Sequence, residues 1–189
     1  ECRRQRQMCI RDRNHPDRVL SLIPIMSSPD PAAVTDPMEG VSGALSPPTA
    51  EVMAMVAAGA VLDWNDQQAV LENRVKMFGV LAGSAYPYDD ESRRTLFKRE
   101  IERANSMASS QNHGLVVGAS ERWFHRLGEI RAPTLVIHGD ADPILPLDHG
   151  RAIAAAIDGA QLLVMEGVGH EIPDQELHRV IPAILQITS

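Results

Sequence analysis

Over its last third the chain switches between two kinds of apolar pattern. "PTLVIHG" (residues 133–139) is a short continuous run containing β-branched residues, "PLDHGRAIAAAIDGA" (146–160) places its apolar residues at helical spacing, and "AQLLVME" (160–166) is a second short run. Two short apolar runs joined by a helix of this length have one common solution. They form parallel neighbours in a buried sheet, with the helix as the crossover. Gly159 is a stop signal for that helix, and Asp148 is the expected N-cap. The constraint reaches beyond local structure. Parallel neighbours end at the same sheet edge, so whatever follows each strand is delivered to one place.

The rest of the chain extends this pattern. "VLSLIPIM" (19–26) reads as a further buried strand, with Pro24 as a conflict because proline cannot donate to a ladder. A stretch rich in Pro, Gly and Ser follows (27–48) and reads as a hinge-like boundary. From residue 49 the period becomes helical. "TAEVMAMVAAGAVL" is mostly apolar. The next segment puts Val70, Leu71, Met77, Phe78 and Leu81 on one face, and "DDESRRTLFKREIERANSMAS" puts Leu96, Phe97, Ile101, Ala104 and Met107 on another. "SERWFHRLGEI" reads as a helix with Ser120 as N-cap. The C-terminal helix aligns Leu177, Val180, Ile181, Ile184 and Leu185, with Pro182 as a kink. The fold class expected is α/β, with about three parallel strands, flanking helices and a helical insertion. The divisions expected are 1–13, 14–48, 49–125 and 126–189.

Charge and cysteine narrow the function classes. The 189 residues carry a net charge of −7, which argues against a nucleic-acid or anionic-membrane partner. Residues 1–13 hold five arginines and two acids, so the remainder has 13 Lys and Arg against 23 Asp and Glu. Both cysteines, Cys2 and Cys9, also lie in that first segment. The rest can form neither a disulfide nor a cysteine metal site, which fits a reducing cytoplasm. No apolar run approaches the length of a membrane span.

The chemistry-bearing residues sit where the strands end. "DADP" follows the first strand of the final third and offers Asp140 and Asp142. "GVGHEIP" follows the second and offers His170. A carboxylate meeting an imidazole there would orient the ring and stabilise its protonated form, leaving the other ring nitrogen as general base. Histidine suits this role because it titrates near neutral pH. The competing reading makes the aspartate a helix cap and the histidine structural. "HGDAD" could also suggest a metal through His138, Asp140 and Asp142, but no second cluster supports one. No cofactor fingerprint occurs, since "EGVGHE" lacks the third glycine of a dinucleotide loop.

The stretch 131–173 resembles the acid–histidine half of the α/β-hydrolase superfamily. "HPDRVLSLIPIMSSPD" resembles that fold's sixth strand, and the helical region resembles the lid inserted after it. The finer likeness is to lidded esterases that need no cofactor. The resemblance implies Asp142 as the triad acid and His170 as the base. Asp30 takes the acid's place if the acid follows strand six. It also implies hydrolysis of a small apolar ester-like substrate, with Trp64, Met77, Phe78 and Trp123 as candidate pocket residues.

The same resemblance requires a serine on a G-x-S-x-G elbow upstream of the acid, and no such motif occurs in the sequence. "GVSGA" (40–44) has its glycine at the wrong offset. Ser120 lacks the second glycine and reads as a cap. Cys2 lies near the expected position but has no flanking glycine. The chain is therefore expected to be part of a hydrolase whose nucleophile lies elsewhere. Strand 19–26 is then expected to present an open edge. "RQRQMCIRDR" resembles translated sequencing-adapter sequence, so residues 1–13 are expected to be non-native or disordered.

Overall fold

The structure, a computed structural model, describes residues 15, 18–29, 45–112 and 124–189. Cys2, Cys9, Asp30, "GVSGA", Ser120 and Trp123 lie outside the described residues. The element order is α1 (Ala50–Ala60), α2 (Gln67–Leu81), α3 (Asp90–Arg103), β1 (Leu135–Gly139), α4 (Leu147–Ala156), β2 (Gln161–Met165) and α5 (Leu177–Thr188), with short 3-10 turns between.

β1 and β2 pair in parallel, with Leu135 opposite Gln161 and Gly139 opposite Met165. The segment around Leu22–Met26 lies along the other side of β1, also parallel, bridging at Leu22–Thr134 and Ile25–Ile137. Its interruption has a local cause. Leu22 N–H donates to Pro133 O, Leu135 N–H to Leu22 O, Ile137 N–H to Pro24 O and Met26 N–H to Ile137 O. A regular ladder would add a bond from residue 24 to Leu135. Proline has no N–H to give, so the pairing survives as two bridges.

All five residues of β1 are buried. Side chains alternate across a strand, so β1 feeds two cores. Val136 packs with Leu22, Leu127, Ile130, Ile153 and Ile157 beneath α4. Leu135 and Ile137 pack with Met26, Met165, Val168 and Val180 beneath α5. Burial on both faces explains the continuous apolar run in the sequence. A third core lies within the helical segment, where Val70, Leu71 and Val75 of α2 meet Phe97 and Ile101 of α3.

Several local expectations change. Asp148 is not the cap of α4: Pro146 occupies that position, and the Asp148 carboxylate instead accepts from Ser46 N–H at 2.7 Å. Residues 124–129 form a 3-10 helix rather than an α-helix. Leu96 is exposed, and on α5 only Val180 is fully buried while Leu177, Ile181 and Leu185 face outward. The Arg and Glu run on α3 pairs away from its own helix, with Arg94 to Glu72 and Arg74 to Glu100, both across to α2. Among the described residues, no helix is long and apolar enough to cross a membrane.

Because β1 serves both cores, Ile137→Ala is expected to cost about 2–5 kcal/mol, whereas Ile181→Ala on the exposed face of α5 should stay within about 0.5 kcal/mol. Urea unfolding of the two variants checks the contrast.

Candidate active site

The turn after β1 organises Asp142 through its own backbone. Oδ1 accepts from Ile144 N–H and Leu145 N–H, both at 2.9 Å. This local Asx-type turn fixes the carboxylate and leaves Oδ2 for another partner. That partner is His170, whose Nδ1 lies 2.7 Å from Oδ2. Asp142 is fully buried, while 28% of the His170 side chain is exposed. A carboxylate only accepts, so Nδ1 carries the proton and Nε2 is the basic atom. Asp140 takes a different role. Its Oδ1 accepts from Gly167 N–H at 2.6 Å and ties the two strand-end turns together, as does the bond from Ala141 N–H to Val168 O at 3.0 Å.

The histidine turn is held from its other side by the loop after α2. His170 N–H donates to Leu81 O at 2.7 Å and Gly169 N–H to Ala82 O at 3.0 Å, while Ser84 and Ala85 N–H both donate to Gly167 O at 2.8 Å. Backbone lies directly against backbone here. A Cβ on Gly169 would fall 1.9 Å from Leu81 O, and one on Gly83, at φ +83°, 2.5 Å from Gly167 O. Only glycine permits this approach. Side chains reinforce it. Tyr86 Oη donates to Glu176 Oε1 at 2.7 Å, and Arg93 Nη2 on α3 donates to both oxygens of Glu171 at 2.8 and 2.7 Å.

Two further histidines are buried nearby. His138, on β1, has Nε2 2.7 Å from Leu145 O and 3.6 Å from Asp142 Oδ2. A carbonyl cannot donate, so Nε2 holds the proton. The buried Nδ1 has no hydrogen-bond partner and abuts Gly150, where α4 crosses β1. Burial holds the His138 pKa below the ordinary imidazole value, opposed by its bond to Leu145 and the charge of Asp142. His149 donates from Nε2 to Ser46 O and accepts at Nδ1 from Ser28 Oγ, both at 2.9 Å. It thereby staples the two chain segments that flank residues 30–44.

Of the sequence-derived candidates, Asp142 and His170 are brought together. Trp64 and Phe78 pack against the core between α2 and α3, with the Phe78 ring 4.8 Å from that of Phe97. Met77 is partly buried. Sequence reasoning grouped His138 with Asp140 and Asp142 only as a weighed metal set, and it missed Arg93 and Glu171 as neighbours of the site. Adjacency of Glu171 to His170 was the available signal for the second.

Comparison with known proteins identifies the family. A sequence profile of the alpha/beta hydrolase fold matches residues 12–177, and the chain belongs to that family. It is 30% identical over 138 residues to a 2-hydroxy-6-oxononadienedioate/2-hydroxy-6-oxononatrienedioate hydrolase of Pseudomonas putida, a match covering 70% of this chain and 46% of that protein. It is 31% identical over 110 residues to a rhodomycin D methylesterase of Streptomyces sp. (strain C5), covering 56% of this chain and 36% of that protein. Among solved structures it resembles the 2-hydroxy-6-oxo-6-phenylhexa-2,4-dienoate hydrolase of Rhodococcus sp. strain RHA1. The TM-score is 0.62 at 17% identity, covering 93% of this chain and 57% of that one. The chain thus spans about half or less of the length of the curated relatives it matches.

The buried, neutral His138 has a consequence for stability. Below about pH 6.5 an unfolded histidine binds a proton that the folded one refuses. The unfolded state then holds more protons, and stability falls as pH drops, by about 1.4 kcal/mol per pH unit for one proton, until the folded pKa is reached. Unfolding curves at pH 7.5, 6.5 and 5.5 should therefore fall more steeply in the wild type than in His138→Gln.

Proposed function

We propose that the chain is the acid–histidine part of a serine hydrolase that cleaves carboxylic esters. The observation that carries this reading is the 2.7 Å contact between His170 Nδ1 and Asp142 Oδ2 at the ends of adjacent parallel strands. The nucleophile in this reading is a serine from outside the 189 residues, since the sequence holds no G-x-S-x-G motif. Its Oγ attacks the ester carbonyl carbon as His170 Nε2 takes the hydroxyl proton. His170 then gives that proton to the departing alkoxide, which leaves an acyl-enzyme. Water next attacks the acyl carbon, again losing a proton to Nε2, and the acid product departs as the serine regains its hydrogen. Asp142 holds the ring and stabilises the imidazolium formed in each half.

The helical segment acts in this reading as a lid over an apolar substrate of modest size, with Trp64, Met77, Phe78 and Trp123 as the candidate residues that set its limits. Hydrolysis of a carbon–carbon bond is the second reading. It is favoured by the likeness to the Pseudomonas putida enzyme, whose name describes action on a dienedioate.

The test joins the upstream in-frame coding region to this chain and assays the product on p-nitrophenyl esters and on a 2-hydroxy-6-oxo-dienoate. Ester turnover that falls about 10³–10⁴-fold or more in both His170→Ala and Asp142→Asn is the expected outcome. Preferred turnover of the dienoate, with the same loss in both variants, selects the second reading. Activity that survives His170→Ala would overturn both. A fluorophosphonate probe is expected to label the joined protein and not the 189-residue chain.

A further inference from the structure

The sheet alone does not hold the candidate base. Residues 167–170 are bonded to the β1 turn on one side, through Asp140 and Ala141, and to the end of α2 and the loop after it on the other, through Leu81 and Ala82. Beyond His170 the next side chain is Glu171, 15% exposed, whose two carboxylate oxygens both accept from Nη2 of Arg93, itself 28% exposed. The pair joins residues 78 apart in sequence and is largely removed from water. Arg93 also lies 5.8 Å over the Tyr88 ring, and Tyr88 Oη donates to Val75 O of α2 at 2.7 Å. A continuous set of contacts therefore runs from α2 through Tyr88 and Arg93 to the residue next to the base.

One physical effect follows from this placement. A single Arg93 nitrogen holds both carboxylate oxygens in a charge-assisted pair largely removed from water, so Arg93 anchors the chain immediately after His170. The charged and titratable groups packed about the His170 turn are Asp142 on the ring, with His138 beside it, Asp140 on Gly167, and Arg93, which reaches the turn through Glu171.

We propose that Arg93 is a positioning residue for His170. By holding Glu171 it keeps the imidazole on Asp142 and couples the seating of α3 to the competence of the base. This rests on the reading of His170 and Asp142 as an acid–base pair, and the experiment separates the two.

The measurement is proton NMR of the 189-residue chain, reading the His170 Nδ1–H resonance and its exchange with solvent. Melting temperatures are recorded alongside for Arg93→Ala, Arg93→Lys and Glu171→Gln. The expected result is a slowly exchanging ring proton in the wild type and exchange at least tenfold faster in Arg93→Ala. Arg93→Lys should be intermediate, and Glu171→Gln should shift in the same direction as Arg93→Ala. If Arg93→Ala does not fold, the near-isosteric Glu171→Gln decides. Folded variants that melt lower but keep the wild-type ring proton would overturn the positioning role and leave the acid–base pair standing. A wild type with no protected His170 ring proton would overturn the pair itself, and the positioning role with it.

Discussion

Two-sided burial of β1 is the constraint on which the rest depends. Its five residues supply both cores of the α/β part, with Val136 beneath α4 and Leu135 and Ile137 beneath α5. A strand filled on both faces cannot slip by one residue without exchanging its two sets of side chains. The residue at which it ends is therefore set, and Asp140 and Asp142 emerge at a defined height on the sheet edge. β2 is paired to it in register, so the turn carrying His170 emerges beside them. The distance between acid and imidazole is a consequence of packing several residues away.

The histidine turn adds a second constraint of a different kind. Hydrogen bonding and close backbone contact, rather than apolar burial, place it between the β1 turn and the loop after α2. Gly83 and Gly169 lack the Cβ atoms that would hold these backbones apart. The helical segment is thus built into the support of His170, and an insertion that shapes a cleft in the proposed function also helps to hold the base. His149 and Asp148 make similar long-range bonds ahead of that segment, gripping residues 28 and 46.

Much of this was legible in the sequence, for reasons that differ by element. β1, α4 and β2 were readable because their burial follows a short period within a few residues. The helical patterns behind α1, α2 and α3 were similarly local. The segment 19–26 was readable despite Pro24, which removes one ladder bond and leaves four others. Contacts between distant segments were not readable. Nothing in the sequence around Arg93 points to Glu171, 78 residues away. Asp148 looked like a cap because Ser46, its actual partner, lies 102 residues away. Leu177, Ile181 and Leu185 share an apolar pattern with Val180 and Ile184, yet of the five only Val180 and Ile184 pack against the core of the sheet.

The sequence by itself determined that an acid and a histidine would follow adjacent parallel strands, because strand type and order are written in local periodicity. It left two aspartates in the first turn, and only the resemblance to a family favoured one of them. Tertiary structure assigned the partners. Asp140 meets the Gly167 N–H. The Asp142 Oδ1 is held by Ile144 and Leu145, which leaves Oδ2 facing His170. Two residues of the same type, two positions apart along a turn, differ only in direction, and direction is set by the backbone that closes around them.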